Sequence, residues 1–283
     1  LMAERVLTLL RKRRNQCAMG LAFLCMFALV LGLAEPYLFP SQDGTEEYTG
    51  GTAVIAARHK GQGYIMVAYS GGSSKRIKFR VTKGEKTYTY DINQEGGYDV
   101  IPLQMGSGTY RLEMFRQVKG TSYAGEYAGE IEVEIADETA PYLYPSVYVW
   151  YTPDYKVVEL SEQLCGGAQS DEEKVEAVKA YIKENFSYDY GKAERAAKGT
   201  VNDFMPNVDE TIEVKSGICF DLSATVAALL RLQNIPTQMI IGYADGYYHA
   251  WNQICLNGEW QLYDPTAAVT GSTMSEYVED QRY

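Results

Sequence analysis

The chain has 283 residues, of which 46% are hydrophobic and 22% charged. That balance belongs to folded protein and excludes a wholly disordered chain, and the length fits two domains. The net charge is −11, and residues 1–34 hold Arg5, Arg11, Lys12, Arg13 and Arg14 against Glu4, a net +4, so the remainder carries −15. A surface that acidic repels a phosphate backbone, which argues against nucleic acid as a partner.

The first element is an apolar run. Residues 17–34 carry no charge and follow the block Arg11-Lys-Arg-Arg14, the pattern of an export signal with its positive end retained in the cytoplasm. The run exceeds the roughly 7–15 residues of an ordinary signal core and approaches the roughly 20 that span a bilayer. It therefore reads as a membrane-anchoring transmembrane helix, with cleavage near Ala34 and secretion as the alternative. Either way residues 35–283 are expected outside the cytoplasm. Cys17 and Cys25 fall in this run, leaving Cys165, Cys219 and Cys255 beyond it. One disulfide such as Cys165 with Cys255 plus a free thiol, or three free thiols, are both compatible with that compartment.

Residues 45–136 read as short strands divided by turn residues. Tyr64-Ile-Met-Val-Ala-Tyr69, Arg76-Ile-Lys-Phe-Arg-Val81, Thr87-Tyr-Thr-Tyr-Asp-Ile92 and Glu130-Ile-Glu-Val-Glu-Ile135 are rich in Tyr, Val and Ile, several with period two. They predict an all-β, immunoglobulin-like sandwich. Its single histidine, His59, has no cysteine or acidic cluster nearby, so this module reads as a spacer or binding body. Residues 137–156 contain Pro141, Pro145 and Pro153 without periodicity and read as a semi-rigid linker.

From residue 157 to 283 the signals become mixed, an α+β pattern. Val157-Val-Glu-Leu-Ser-Glu-Gln-Leu164 ends at Gly166-Gly167, and Ser170-Asp-Glu-Glu173 is a capping box ahead of Val175, Val178, Ile182 and Phe186 on one helical face. Residues 191–217 are small and polar, the composition of a lid or binding loop. Leu222, Val226, Leu229 and Leu230 then form an apolar stripe between Gly217 and the terminating Asn234-Ile-Pro236. Cys219 thus opens a buried helix, where unpaired N–H groups and the helix dipole favour a thiolate.

Next, Thr237-Gln-Met-Ile-Ile-Gly-Tyr243 reads as a buried strand. Tyr247-Tyr-His-Ala-Trp-Asn-Gln-Ile-Cys-Leu256 and Glu259-Trp-Gln-Leu-Tyr-Asp264 flank Asn257-Gly258, the signature of a two-residue type I′ hairpin. That turn sets Leu256 opposite Glu259 and puts His249 on the diagonal from Asp264, so residues 249, 251 and 264 share a face. A thiol at a helix start, an imidazole and a carboxylate that orients it form a Cys–His–Asp triad for nucleophilic acyl transfer. The residues proposed to carry it are Cys219 as nucleophile, His249 as base and acid, and Asp264 as orienting acid.

Ser216-Gly-Ile-Cys-Phe-Asp221, the helix ending in Leu-Leu-Arg-Leu-Gln-Asn-Ile-Pro236, His249-Ala-Trp251 and Tyr263-Asp-Pro-Thr266 resemble the bacterial transglutaminase-like superfamily over residues 140–266. The resemblance implies a papain-related α+β core with those triad roles, acting on amide bonds of a peptide, protein or cell-wall peptide, without a metal or other cofactor. The β module and its Tyr- and Pro-rich connection also resemble exported clostridial members. Ile218 stands where the animal cross-linking enzymes carry Gln, and no calcium-binding insert is evident, so a calcium-activated cross-linker is not implied. Tyr188 and Tyr190 are candidate oxyanion donors beside the Cys219 backbone N–H, Trp251 is expected as the apolar wall of the site, and Asp221 reads as a helix-start charge. The alternative reading is an inert cell-surface binding or scaffold protein with a relic domain.

Overall fold

Side chains that alternate between core and solvent make strands wherever branched and aromatic residues can cover a pleated surface. The computed structural model describes residues 37–42, 44–93, 97–198 and 205–283. Its N-terminal half contains β1 (Glu47–Gly50), β2 (Ala53–Ala56), β3 (Tyr64–Tyr69), β4 (Ile77–Lys83), β5 (Lys86–Ile92), β6 (Asp99–Pro102), β7 (Gly108–Lys119) and β8 (Ser122–Val133). They form two antiparallel four-stranded sheets, ordered β1-β2-β3-β6 and β5-β4-β7-β8. Ile55, Ile65 and Val67 of the first sheet and Phe79, Val81 and Leu112 of the second belong to one buried cluster. The expected apolar helix at 17–34 lies outside the described residues, and among the described residues no helix is long and apolar enough to cross a membrane.

The C-terminal half mixes both kinds of element. Helices α1 (Lys156–Cys165) and α2 (Asp171–Asn185) bear out the apolar stripe and the cap: Ser170 Oγ accepts the Glu173 N–H, and Val175, Val178 and Ile182 are buried. A two-residue strand β9 (Ser187–Tyr188) leads into α3 (Tyr190–Ala197) and, past residues 199–204, into α4 (Val208–Val214). The stretch expected to be a loop therefore contains helix. These helices are short and α3 buries no residue fully, so they leave no apolar periodicity to read. β10 (Ser216–Gly217) pairs in parallel with β9 and delivers the chain to α5 (Cys219–Arg231), whose residues from Asp221 to Arg231 are all buried.

β11 (Thr237–Ala244), β12 (Tyr247–Leu256), β13 (Glu259–Tyr263) and, after α6 (Pro265–Thr270), β14 (Tyr277–Arg282) make an antiparallel sheet ordered β13-β12-β11-β14. The hairpin register is the expected one, Leu256 opposite Glu259 and Asn252 opposite Tyr263. Asn257 and Gly258 have φ of 54° and 81°, both positive as a type I′ turn requires. The polar end of the chain, which shows no motif, supplies the edge strand β14.

Residues 137–156, expected as a semi-rigid linker, are packed against both halves. Tyr142, Tyr144, Val147, Val149 and Tyr151 are buried, and the Tyr148 ring lies 4.5 Å from that of Tyr283 and 6.0 Å from that of Tyr90. The prolines break helix and ladder without forbidding burial, and the aromatic side chains between them fill the seam between the module and the C-terminal half.

Candidate active site

Each catalytic candidate is delivered by a different terminus or strand. α5 begins at Cys219 after Ile218, whose side chain has no oxygen with which to cap the helix. A Ser, Thr, Asp or Asn cap stabilises a helix start by typically about 1 kcal/mol, and forgoing it leaves first-turn N–H groups open to an anion. The Asp221 carboxylate instead accepts the Ile218 N–H at 3.0 Å and the Lys192 Nζ at 2.7 Å, tying α3 to the helix start. Asp221 is a structural charge here, as its position suggests. Cys219 is half-buried.

His249 comes from β12 and Asp264 from the end of β13. The strand stops at Tyr263, and Asp264 becomes the N-cap of α6, with Pro265 at the first helical position. Its Oδ1 accepts the N–H groups of Thr266 and Ala267 at 2.9 and 3.0 Å, while its Oδ2 lies 2.8 Å from His249 Nε2. The carboxylate is thereby immobilised by the cap and aimed by it. With Nε2 turned to Asp264, Nδ1 is the ring nitrogen left for another partner. Burial pushes the His249 ring down, but Asp264 and Cys219 outweigh it and raise it to about 9. Burial likewise pushes Asp264 up, and its bonds to His249, Ala267 and Tyr277 reverse that, leaving the carboxyl below its ordinary value. The two shifts have opposite signs, as for an imidazolium–carboxylate pair.

Residues 158–265, which include all three side chains, match the family model of the transglutaminase-like superfamily. This segment is a transglutaminase-like domain. The uncharacterized protein YebA of Bacillus subtilis (strain 168) is 23% identical over 206 residues, 64% of this chain and 24% of that protein, so the chain spans about a quarter of that relative's length. Among solved structures, a candidate cysteine protease from Cytophaga hutchinsonii is similar at 18% identity and a TM-score of 0.42, over 75% of this chain and 72% of the other. The periplasmic domain of TgpA from Pseudomonas aeruginosa is similar at 14% identity and a TM-score of 0.37, over 82% and 78%.

In the transglutaminase-like domain the remaining expected residues are placed as follows. Trp251 is fully buried, its ring stacked 6.3 Å from the His249 ring, and β14 passes so close behind it that a Cβ on Gly242 would fall 2.1 Å from the Val278 carbonyl oxygen. Tyr188 sits opposite Gly217 in the β9–β10 pair, and burial, then the charge of Cys219, pushes its hydroxyl up to about 12. A hydroxyl that keeps its proton beside the sulfur suits an oxyanion donor. Tyr190 stacks edge-on to Tyr188 but is 71% exposed. Cys165, Cys219 and Cys255 are free thiols, and burial raises the first and last.

Tyr277 is the residue that sequence reading missed. Its hydroxyl donates to Asp264 Oδ2 at 2.9 Å and its ring meets Trp251 at 5.1 Å, so β14 braces both the acid and the wall. Tyr277→Phe is expected to keep the fold and lower turnover about tenfold, the effect of one hydrogen bond to a charged group. Steady-state kinetics beside a thermal melt checks it.

The His249 shift has a consequence for stability. A ring raised in the folded state contributes stability in full below its ordinary value of 6.5 and loses it as pH rises through about 9. The difference in unfolding free energy between the wild type and His249→Gln is expected to shrink between about pH 6 and 10. Urea titrations at a series of pH values measure it, and a constant gap would contradict the ion pair.

Proposed function

We propose that the chain is an exported, membrane-anchored cysteine enzyme that acts by acyl transfer on amide bonds of peptides, proteins or cell-wall peptides, with an immunoglobulin-like module as its spacer. The observation that carries this reading is the Asp264 carboxylate, held by three donors besides His249 and pointed at the His249 ring, on which the Cys219 charge also acts. The thiolate of Cys219 attacks the amide carbonyl and forms the C–S bond. First-turn N–H groups and the Tyr188 hydroxyl donate hydrogen bonds to the developing oxyanion. Imidazolium returns its proton to the nitrogen as the C–N bond breaks, leaving a thioester and a free amine. Water or a second amine then attacks the thioester, gives its proton to His249, and releases the sulfur. Export and anchoring rest on the uncharged run at 17–34 behind four basic residues.

The test is a panel of peptides with side-chain and backbone amides, offered with and without a primary-amine probe and followed by mass spectrometry. An acyl adduct on Cys219 and release of the amine are expected. Their absence across the panel would return the domain to a binding or scaffold role.

A further inference from the structure

A cavity of about 550 Å³ lies where the two-sheet module meets the transglutaminase-like domain, and none of the triad lines it. Its size falls within the roughly 300–1,000 Å³ of pockets that enclose a small organic ligand. The module contributes Lys83 and Lys86, paired across the β4–β5 turn, and the domain contributes Gln238, Trp260 and Arg282 from β11, β13 and β14.

The charge in this wall is uneven. Arg282 is neutralised by Glu279, which takes its Nε and Nη2 at 2.6 and 2.7 Å. Lys83 donates to the Met105 carbonyl at 2.6 Å, and neither it nor Lys86 is in an ion pair among the described residues. Glu138 is the single carboxylate among the described lining residues, in a chain whose bulk is strongly acidic. Tyr142 and Trp260, edge-to-face at 5.6 Å, supply an apolar corner.

We infer that this cavity binds the carboxylate end of a short peptide. The two lysines take the carboxylate, and the aromatic corner takes the terminal side chain. An inorganic anion would use the lysines alone and leave the aromatic corner idle.

The probes are N-acetyl-Ala-Ala-Phe as the free acid and as its C-terminal amide, titrated calorimetrically into the full chain. The acid is expected to bind and the amide to bind at least about tenfold more weakly. Lys86→Glu, on an exposed turn, is expected to weaken the acid at least about tenfold without moving the thermal melt, and the Lys83→Ala/Lys86→Ala double variant to do the same. Equal affinity for acid and amide, absence of binding by the acid, or an unchanged affinity in both lysine variants would overturn the site. Neither arm requires turnover, so binding here stands or falls apart from the chemistry of the triad.

Discussion

Cys219→Ala is expected to lower acyl transfer by on the order of 10⁴- to 10⁶-fold, the range found when a covalent nucleophile is removed from a triad. Neither of the other two described thiols is placed to substitute. Cys165 and Cys255 are both pushed up by burial, and the sole described partner of the Cys165 sulfur is the Lys174 carbonyl. The fold should survive, because the change removes one half-buried atom from a helix start whose ends are fixed elsewhere. Asp221 ties down the first turn and Arg231 the last. His249→Ala should cost a similar factor. The double variant should cost little more than either, since a base without its nucleophile has no proton to move. The measurement is initial rate on the best amide substrate, with the variant's circular dichroism and melt taken alongside and Cys255→Ala as the control that keeps wild-type rates. Activity above about a tenth of wild type in Cys219→Ala would remove the nucleophile from its role.

How much of this was legible follows from where the information lies. The β12–β13 register was readable because Asn257-Gly258 fixes it within two residues, and the start of α5 because Gly217 and the apolar stripe bracket it. Both are local signals, and the proximity of His249 to Asp264 follows from them. What the hairpin could not show is that Asp264 leaves the strand to cap α6, which gives the carboxylate its aim. Tyr277 was out of reach for a different reason. Its strand, Tyr-Val-Glu-Asp-Gln-Arg, is polar and lies at a sheet edge, so it carries almost no apolar alternation. Its pairing with β11 spans more than thirty residues of sequence. The buried segment 137–156 was misread because its partners lie on both sides of it in the chain, in Tyr90 and Tyr283, and no window along the sequence contains them all. Local grammar placed His249 beside Asp264, and tertiary pairing placed Tyr277 against that carboxylate.

Arg231→Met is expected to destabilise the protein by about 3–5 kcal/mol, a large share of an ordinary domain's stability. The guanidinium is wholly buried with no Asp or Glu side chain among its hydrogen-bond partners. All five of its N–H groups are spent on main-chain oxygens and one hydroxyl: Thr237 twice at 3.0 and 2.8 Å, Tyr144 and Tyr283 each at 2.8 Å, and the Ser146 hydroxyl at 3.5 Å. Burial holds it down to about 10, which still leaves the charge in place at neutral pH. One side chain therefore joins the end of α5, the first residue of β11, the buried 137–156 segment and the residue after β14. Methionine fills much of the volume but leaves those acceptors without donors in a dry site, where each costs about 1–3 kcal/mol. Lysine keeps a charge but offers three donors from one point instead of a planar fork, so Arg231→Lys should recover only part of the loss. Chemical denaturation gives the magnitude. Because Tyr283 and Tyr277 bracket the same edge strand, loosening the one should free the other from Asp264, and activity should fall in variant protein that is still folded. A loss below about 1 kcal/mol in Arg231→Met would mean that water or a shifted backbone takes over these bonds, and the four segments would then have to be held together by their aromatic packing alone.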